Sequence, residues 1–121
     1  MNPRGPRPGD VYLAEFPEHD PQGREQQGVR PALVLAVPSK SRFPVILVAP
    51  MTTDRDQSWA NSAPHLYIQL PKGIGGLSTD SILLLDQTRF LDAMRVRRFL
   101  GLLEKKQFDS VLGQWLTLFK N

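Results

Sequence analysis

Two aliphatic runs separated by a short polar stretch constrain the fold more than any other feature of this sequence. RPALVLAV covers residues 30–37, PVILVAPM covers residues 44–51, and PSKSRF lies between them. Both runs are too short to cross a bilayer and have the length and β-branched content of buried strands. The spacing predicts two adjacent antiparallel strands that are buried on both faces.

Other segments of the chain also have the pattern of strands. GDVYLAEF (9–16) alternates between two faces, HLYIQL (65–70) follows a polar loop, and SILLLDQTRFLD (81–92) indicates one or two short strands. The connections PEHDPQGREQQG (17–28) and TTDRDQSWANSAP (52–64) are polar loops. Strands at short intervals with unequal polar connections favour antiparallel pairing over βαβ units.

The C-terminal segment changes to the period of an amphipathic helix. Gly113 falls inside this pattern and lowers the stability of the helix by about 1 kcal/mol relative to alanine. The apolar pattern on the rest of the segment still predicts a helix. The prediction is therefore a mainly β fold, a small barrel with a C-terminal amphipathic helix, in which Trp115 belongs to the core. The apolar stripe consists of Phe108, Val111, Leu112, Trp115, Leu116 and Phe119.

Length and composition narrow the class of protein. The 121 residues suffice for one domain, so we expect a single domain over 1–121 with a flexible, basic and proline-rich leader at 1–9. That leader lacks the apolar segment of a signal peptide, and the chain has no cysteine for disulfides or thiolate metal sites. We expect a soluble, cytoplasmic protein without membrane contact.

Basic residues accumulate toward the C-terminus. The net charge is +3. From Arg89 onward the sequence contains seven basic and three acidic residues, an excess of four positive charges. Such a surface attracts a polyanion or an acidic peptide, and a solvated face near a helix explains the charges equally well.

Two kinds of site are excluded by spacing. His19 and His65 lie 46 positions apart without a helical partner, so a zinc site is not expected and no metal or other cofactor is predicted. KGIGG (72–76) is a turn rather than a phosphate-binding loop, because no Gly-Lys-Ser/Thr run opens a helix there.

The remaining candidates meet where the two aliphatic strands begin and end. Arg30 precedes the first run, and Thr52 and Thr53 follow the second, so antiparallel pairing brings them to one rim. A guanidinium matches phosphate with two parallel hydrogen bonds, and a threonine hydroxyl can reach another phosphate oxygen. The alternative is that Arg30 pairs with Glu25 while the threonines cap a strand.

Five segments follow one another in a recognisable order and cover nearly the whole chain. They are GDVYLAEF, GREQQGVRPALVL, VAPMTT, SILLLDQTRFLD and RVRRFLGLL, with GL between the third and fourth. Together they resemble the MazF/PemK family of toxin endoribonucleases from bacterial toxin-antitoxin pairs. The resemblance implies an SH3-like barrel, a homodimer, and sequence-dependent, metal-independent cleavage of single-stranded RNA. In this family the 2′-hydroxyl attacks the scissile phosphate, leaving 2′,3′-cyclic phosphate and 5′-hydroxyl ends, and the C-terminal segment of an antitoxin occupies the RNA groove.

The resemblance also implies roles for individual residues. Arg30 matches the catalytic arginine and Thr52 the catalytic threonine, while Glu25 and Gln26 match the pair in the preceding loop. Val29 stands where some members have a histidine, so any role of that histidine is absent or taken by another residue. The resemblance also implies acid–base duty for the arginine. Because arginine stays protonated in proteins, Arg30 suits stabilisation of the transition state, and Glu25 is the better general base if its loop brings it near.

Further residues are candidates for substrate binding. Trp59 and Phe43 are predicted to stack on unpaired bases beside the rim, or else to anchor their loops. Thr53 is the second candidate for the hydroxyl that orients the phosphate, after Thr52. The phosphates that flank the scissile one are predicted to bind Arg55, Lys40 and Arg42.

Two other functions fit the same fold. One is a gyrase poison similar to CcdB, which lacks the arginine–threonine pair and uses a tryptophan near the C-terminus. The other is an RNA-binding module without catalysis.

Overall fold

The computed structural model describes residues 5–17, 28–55 and 58–120. Seven strands and two α-helices make up most of this part of the chain, with three short 3-10 turns between them. The strands are β1 (Asp10–Phe16), β2 (Gly28–Ala36), β3 (Val45–Thr53), β4 (Tyr67–Leu70), β5 (Ser81–Leu84), β6 (Arg89–Asp92) and β7 (Val96–Leu102). The helices are α1 (Ser58–Ser62) and α2 (Lys105–Thr117).

All strand pairs are antiparallel, in the order β4-β5-β3-β2-β1-β7, with β6 also beside β3. The predicted pairing of the two aliphatic runs is confirmed, with Ala32 opposite Pro50 and Leu33 opposite Ala49. The mainly β fold with a C-terminal helix is confirmed as well. Strand β7, where the sequence indicated only a basic surface, pairs with β1 and was missed.

Among the described residues, alternation along the strands fills two larger cores, one on each face of the central strands, and a smaller third cluster forms around Ile82 and Leu84. On β1, Val11 enters the core that includes Leu33, Met51 and Leu83. Its neighbour Tyr12 enters the second core, which explains why the central strands are apolar on both faces. The second core also includes Phe16, Val34, Ile46 and Leu91.

Helix α2 covers the first core and begins at a capping box formed by Glu104 and Gln107. Val111 is buried, and Trp115 packs against the core as predicted. Phe119, assigned to the apolar stripe, lies beyond the helix end and is 68% exposed. Within the described residues, no helix has the length and apolar character needed to span a membrane.

A close crossing of backbone segments holds the turn after β4 against β7. Gly76 has φ +75°, and a Cβ there would lie 2.0 Å from the carbonyl oxygen of Leu100. A Cβ on Gly101 would lie 2.8 Å from the carbonyl carbon of Gly75. Only glycine permits this contact, which brings residues 76–79 to the edge of the site described below.

The N-terminal segment joins the sheet just before β1. The Gly9 N–H donates to the Val34 carbonyl oxygen at 2.8 Å, and the Arg7 N–H donates to Asp10 Oδ2 at 2.9 Å. Residues 1–4 of the predicted leader lie outside the described residues.

Candidate active site

A cleft forms where β2 and β3 separate. The two strands pair as far as Ala32 and Pro50, and the same register continued by two residues would put Arg30 opposite Thr52. Instead, Arg30 pairs with Ala14 of β1, and Thr52 pairs with Ile82 of β5. The edges of β2 and β3 that face each other are therefore open at this point, and the cleft occupies the gap.

Two prolines lie at the point of separation. Pro50 is the last residue of β3 that pairs with β2, and Pro31 follows Arg30 in β2. Because proline has no N–H, neither residue can donate a hydrogen bond to a neighbouring strand. Pro31 also disfavours helical backbone angles at Arg30, keeping it extended. The local sequence thus favours both the end of the pairing and the position of Arg30.

The cleft brings together three residues that the sequence analysis placed at one rim. Arg30, Thr52 and Thr53 all line it, and its volume is about 350 Å³. Arg30 and Thr52 are half-buried and Thr53 is exposed, so a bound molecule can reach all three. The rigid strands behind them limit the movement of their backbones.

The other residues that line the cleft come from segments that sequence analysis did not assign to the site. Strand β7 contributes Arg98, and the turn before β5 contributes Ser78 and Thr79. Ser81 also lines the cleft, but it is buried and its hydroxyl donates to the Thr79 carbonyl oxygen at 3.0 Å. The cleft therefore has arginines on the β2 and β7 side and hydroxyls on the β3 and β5 side, an arrangement suited to a phosphodiester.

Two predicted residues follow β3 on the same side of the molecule. Arg55 is exposed just after the strand, and Trp59 lies in α1 rather than in a loop. The indole contacts Tyr67 edge to face, with ring centroids 4.8 Å apart, and remains 42% exposed. Trp59 therefore has a packed edge and an accessible surface, but it is not among the residues that line the cleft.

Three other predicted residues lie at the far end of the hairpin. Lys40, Arg42 and Phe43 belong to the connection between β2 and β3, whereas Arg30 and Thr52 lie at the opposite ends of these strands. From Arg30 to Ala36 the strand alone extends about 20 Å. The predicted position of Phe43 beside the rim was wrong, because the loop of a hairpin lies away from the ends that its strands leave open.

Glu25 and Gln26 fall outside the described residues, as does the alternative pairing of Arg30 with Glu25. His19 also lies outside them. His65 is exposed, immediately before β4.

Neighbouring arginines have different surroundings. Arg95 and Arg97 both pair with Glu15, at 3.2 and 2.5 Å, and Arg97 also donates to the Met94 carbonyl oxygen. Arg89 stacks over the Phe16 ring, 4.8 Å from its centroid. Arg89, Arg95 and Arg97 are thus engaged within the fold, while Arg98 lines the cleft.

The pKa of Tyr67, which lies away from the cleft, is raised above its ordinary value. A hydrogen bond from its hydroxyl to Asp86 at 2.6 Å is the main cause that raises the pKa of Tyr67, followed by burial and the negative charge of Asp86. This pair links β4 to the turn after β5, on the side where Trp59 packs.

Comparisons with known proteins cover the same elements. Residues 7–118 match the family described as PemK-like, MazF-like toxins of type II toxin-antitoxin systems. A relative from Staphylococcus saprophyticus, named Endoribonuclease MazF, is 33% identical over 106 residues, which are 87% of this chain and 83% of that protein.

Solved structures with the same fold extend over almost the whole chain. MazF from Deinococcus radiodurans gives a TM-score of 0.69 at 23% identity and covers 97% of this chain and 98% of its own. An endoribonuclease from a mycobacterial species, solved in complex with its cognate antitoxin, gives a TM-score of 0.62 at 17% identity. That match covers 98% of this chain and 93% of the mycobacterial one.

Proposed function

The chain belongs to the PemK-like, MazF-like toxins of type II toxin-antitoxin systems, and from this membership we propose that it is an endoribonuclease that cleaves single-stranded RNA. The observation that carries the proposal is the cleft in which Arg30 and Thr52, from two different strands, lie together. The relative named Endoribonuclease MazF supports the activity.

The proposed reaction is an attack of the substrate's own 2′-oxygen on the adjacent phosphorus. The bond from phosphorus to the 5′-oxygen breaks, leaving a 2′,3′-cyclic phosphate and a 5′-hydroxyl end. Glu25 accepts the proton of the 2′-hydroxyl, and the departing 5′-oxygen takes up a proton from water. Arg30 stabilises the negative charge that grows on the phosphate oxygens, and Thr52 orients the phosphate by a hydrogen bond. The guanidinium supplies positive charge without a metal ion.

The cleft favours an unpaired strand as substrate. It is a narrow gap between strand edges, with arginines on one side and hydroxyls on the other. The backbone of a single strand can enter such a gap while its bases lie against neighbouring surfaces, where Trp59 offers an exposed ring for stacking. Gln26 and Arg55 are assigned to the substrate as well, and sequence preference arises outside the phosphate contacts.

The proposed assembly is a homodimer that a cognate antitoxin inhibits. Membership in a type II toxin-antitoxin family supports the antitoxin. The arginines in the cleft are suited to an acidic antitoxin segment that occupies the place of RNA.

The test is cleavage of a long single-stranded RNA by the purified protein in the presence of EDTA. Discrete fragments with 5′-hydroxyl ends support the proposal, and mapping those ends identifies the preferred sequence. Intact RNA with folded wild-type protein would leave a non-catalytic RNA-binding module or a gyrase poison. DNA gyrase inhibition and RNA binding, measured on the same protein, distinguish these two.

Variants at the cleft test the assignment of residues. Arg30→Ala and Thr52→Val should each lower the cleavage rate at least about 10²–10³-fold, since Arg30→Ala removes a positive charge with its hydrogen-bond donors and Thr52→Val removes one donor to the reacting phosphate. Thr52→Ser should retain most activity because it keeps the hydroxyl. Lys40→Ala provides the matched loss of a positive charge at the far end of the hairpin and should cleave like the wild type. Unchanged rates for Arg30→Ala or Thr52→Val would remove that residue from the mechanism.

A further inference from the structure

Arg98 lies across the cleft from the hydroxyl wall, on the last strand of the sheet. It pairs with Leu13 of β1, and Leu13 pairs on its other side with Pro31 of β2. Paired residues on neighbouring strands present their side chains to the same face. All three line the cleft, and so does Leu100, two positions further along β7.

A β-bulge determines which of two adjacent arginines faces the cleft. Leu13 pairs with Arg98, but the next residue of β1, Ala14, pairs with Val96, so Arg97 is the extra residue. Bulges change the direction of side chains within a strand. Arg97 accordingly pairs with Glu15 outside the cleft, whereas Arg98 lines it.

The guanidinium of Arg98 keeps its donors available. Within residues 5–17, 28–55 and 58–120, the side chain of Arg98 makes no hydrogen bond or ion pair, and the residue is exposed. Arg95 and Arg97, by contrast, share Glu15. A guanidinium with five donors in a polar cleft is suited to an anion.

The distance between the two arginines of the cleft fits two phosphates on one strand. Arg30 and Arg98 lie on β2 and β7, on either side of β1, so two strand spacings of about 5 Å separate their backbones by about 10 Å. A single oxyanion between them would require both side chains to converge. Pro31 shares a face of the sheet with Leu13 and Arg98, so its neighbour Arg30 presents its side chain from the other face. The two arginines therefore reach different positions along a nucleic-acid backbone rather than one phosphate.

We propose that Arg98 is a substrate-positioning residue that binds an RNA phosphate flanking the scissile one, and thereby sets the scissile phosphate against Arg30 and Thr52. This inference rests on the proposed function. Because a phosphate contact of this kind acts in the bound ground state, its loss weakens binding more than it slows the chemical step. Arg98 thus differs from Arg30, which acts on the charge of the transition state.

The test combines cleavage kinetics with a binding measurement on single-stranded DNA. DNA has no 2′-hydroxyl and therefore cannot be cleaved by the proposed reaction. Arg98→Gln should raise KM about tenfold and leave kcat within about threefold, because it removes one charge-assisted hydrogen bond that is used in binding. Binding is measured with a single-stranded DNA oligonucleotide of the mapped cleavage sequence at several salt concentrations. One lost phosphate contact should reduce the slope of log affinity against log salt by about 0.7.

Two variants serve as controls. Arg97→Gln removes the same charge one position away, outside the cleft, and should retain the wild-type slope and KM. Arg98→Lys keeps the charge and should restore the slope while recovering most of the affinity. Unfolding midpoints of all variants show whether each is folded.

The outcomes separate this inference from the proposed function. If the wild type cleaves RNA while Arg98→Gln and Arg97→Gln share the same KM and salt slope, the role of Arg98 is overturned and the endoribonuclease stands. If the wild type cleaves no RNA, the proposed function fails. In that case a slope that falls only for Arg98→Gln, measured on an oligonucleotide with a sequence taken from the tested RNA, still identifies a phosphate contact.

Discussion

The turn after β4 crosses strand β7 closely, and alanine substitutions at four glycines test why. The four positions combine, in all four ways, the presence or absence of a positive φ with the presence or absence of steric overlap. Gly73 has φ +97° and open space where a Cβ would lie, so Gly73→Ala introduces backbone strain alone. Gly101 lacks a positive φ but has backbone atoms within 2.9 Å of that position, so Gly101→Ala introduces steric overlap alone. Gly76 combines both conditions, and Gly113, exposed in α2, has neither.

The magnitudes follow from these environments. A side chain at positive φ costs about 1–2 kcal/mol, so Gly73→Ala should lower the free energy of unfolding by that amount. Overlap with a packed backbone costs about 1–3 kcal/mol, which is expected for Gly101→Ala. Gly76→Ala should lose the sum, about 2–5 kcal/mol, because its Cβ would lie 2.0 Å from the Leu100 carbonyl oxygen. Gly113→Ala should instead raise the free energy of unfolding by about 1 kcal/mol.

Urea unfolding followed by tryptophan fluorescence measures all four variants on one scale. The reasoning predicts a fixed order, with Gly113→Ala more stable than the wild type and Gly76→Ala the least stable. If Gly76→Ala loses no more than Gly73→Ala, contact with the Leu100 carbonyl does not constrain this position. If Gly113→Ala is destabilising, open space around a helical glycine does not predict the effect of alanine on the free energy of unfolding.

Three further predictions concern residues around the core and the cleft. Trp59→Ala should weaken binding of the single-stranded oligonucleotide about tenfold through loss of base stacking, whereas Phe43→Ala, at the far end of the hairpin, should not; equal losses in fluorescence anisotropy would contradict this placement. The pKa of Tyr67 lies above its ordinary value because of Asp86, and its folded-state pKa is the raised one. The hydrogen bond therefore stabilises the fold fully below pH of about 10 and ceases to do so as pH rises through the raised pKa; NMR titration should show Asp86→Asn lowering that pKa. Val111→Ala should reduce the free energy of unfolding by about 2 kcal/mol, because Val111 is the buried contact of α2, and an unchanged urea midpoint would show that α2 contributes little to the core.

The central strands and the rim could be predicted because their signals are local. The two aliphatic runs are continuous, so their pairing follows from length and spacing, and antiparallel geometry then brings Arg30 near Thr52. Antiparallel geometry also places the connection between β2 and β3, which contains Phe43, at the end of the hairpin opposite the rim. That error arose from treating all neighbouring loops as close to one end of the sheet.

The remaining part of the site depends on contacts between distant segments. Strand β7 contains two adjacent arginines, Arg97 and Arg98, and a bulge, which together interrupt the alternation that identifies a strand. Ser78 and Thr79 reach the cleft only through the glycine crossing, which no local pattern specifies. The charge excess after Arg89 was visible in the sequence, but its division between Glu15 and the cleft depends on the fold.

The pairing of β1 with β7 affects when the cleft becomes complete during synthesis. Strand β1 is made first and β7 last among the seven strands, so one wall of the cleft is missing on a nascent chain until its final strand has left the ribosome. Pairing that closes nearly the whole length of a chain is also slow relative to local hairpins. Assembly of the cleft therefore waits for the pairing of the last described strand with the first.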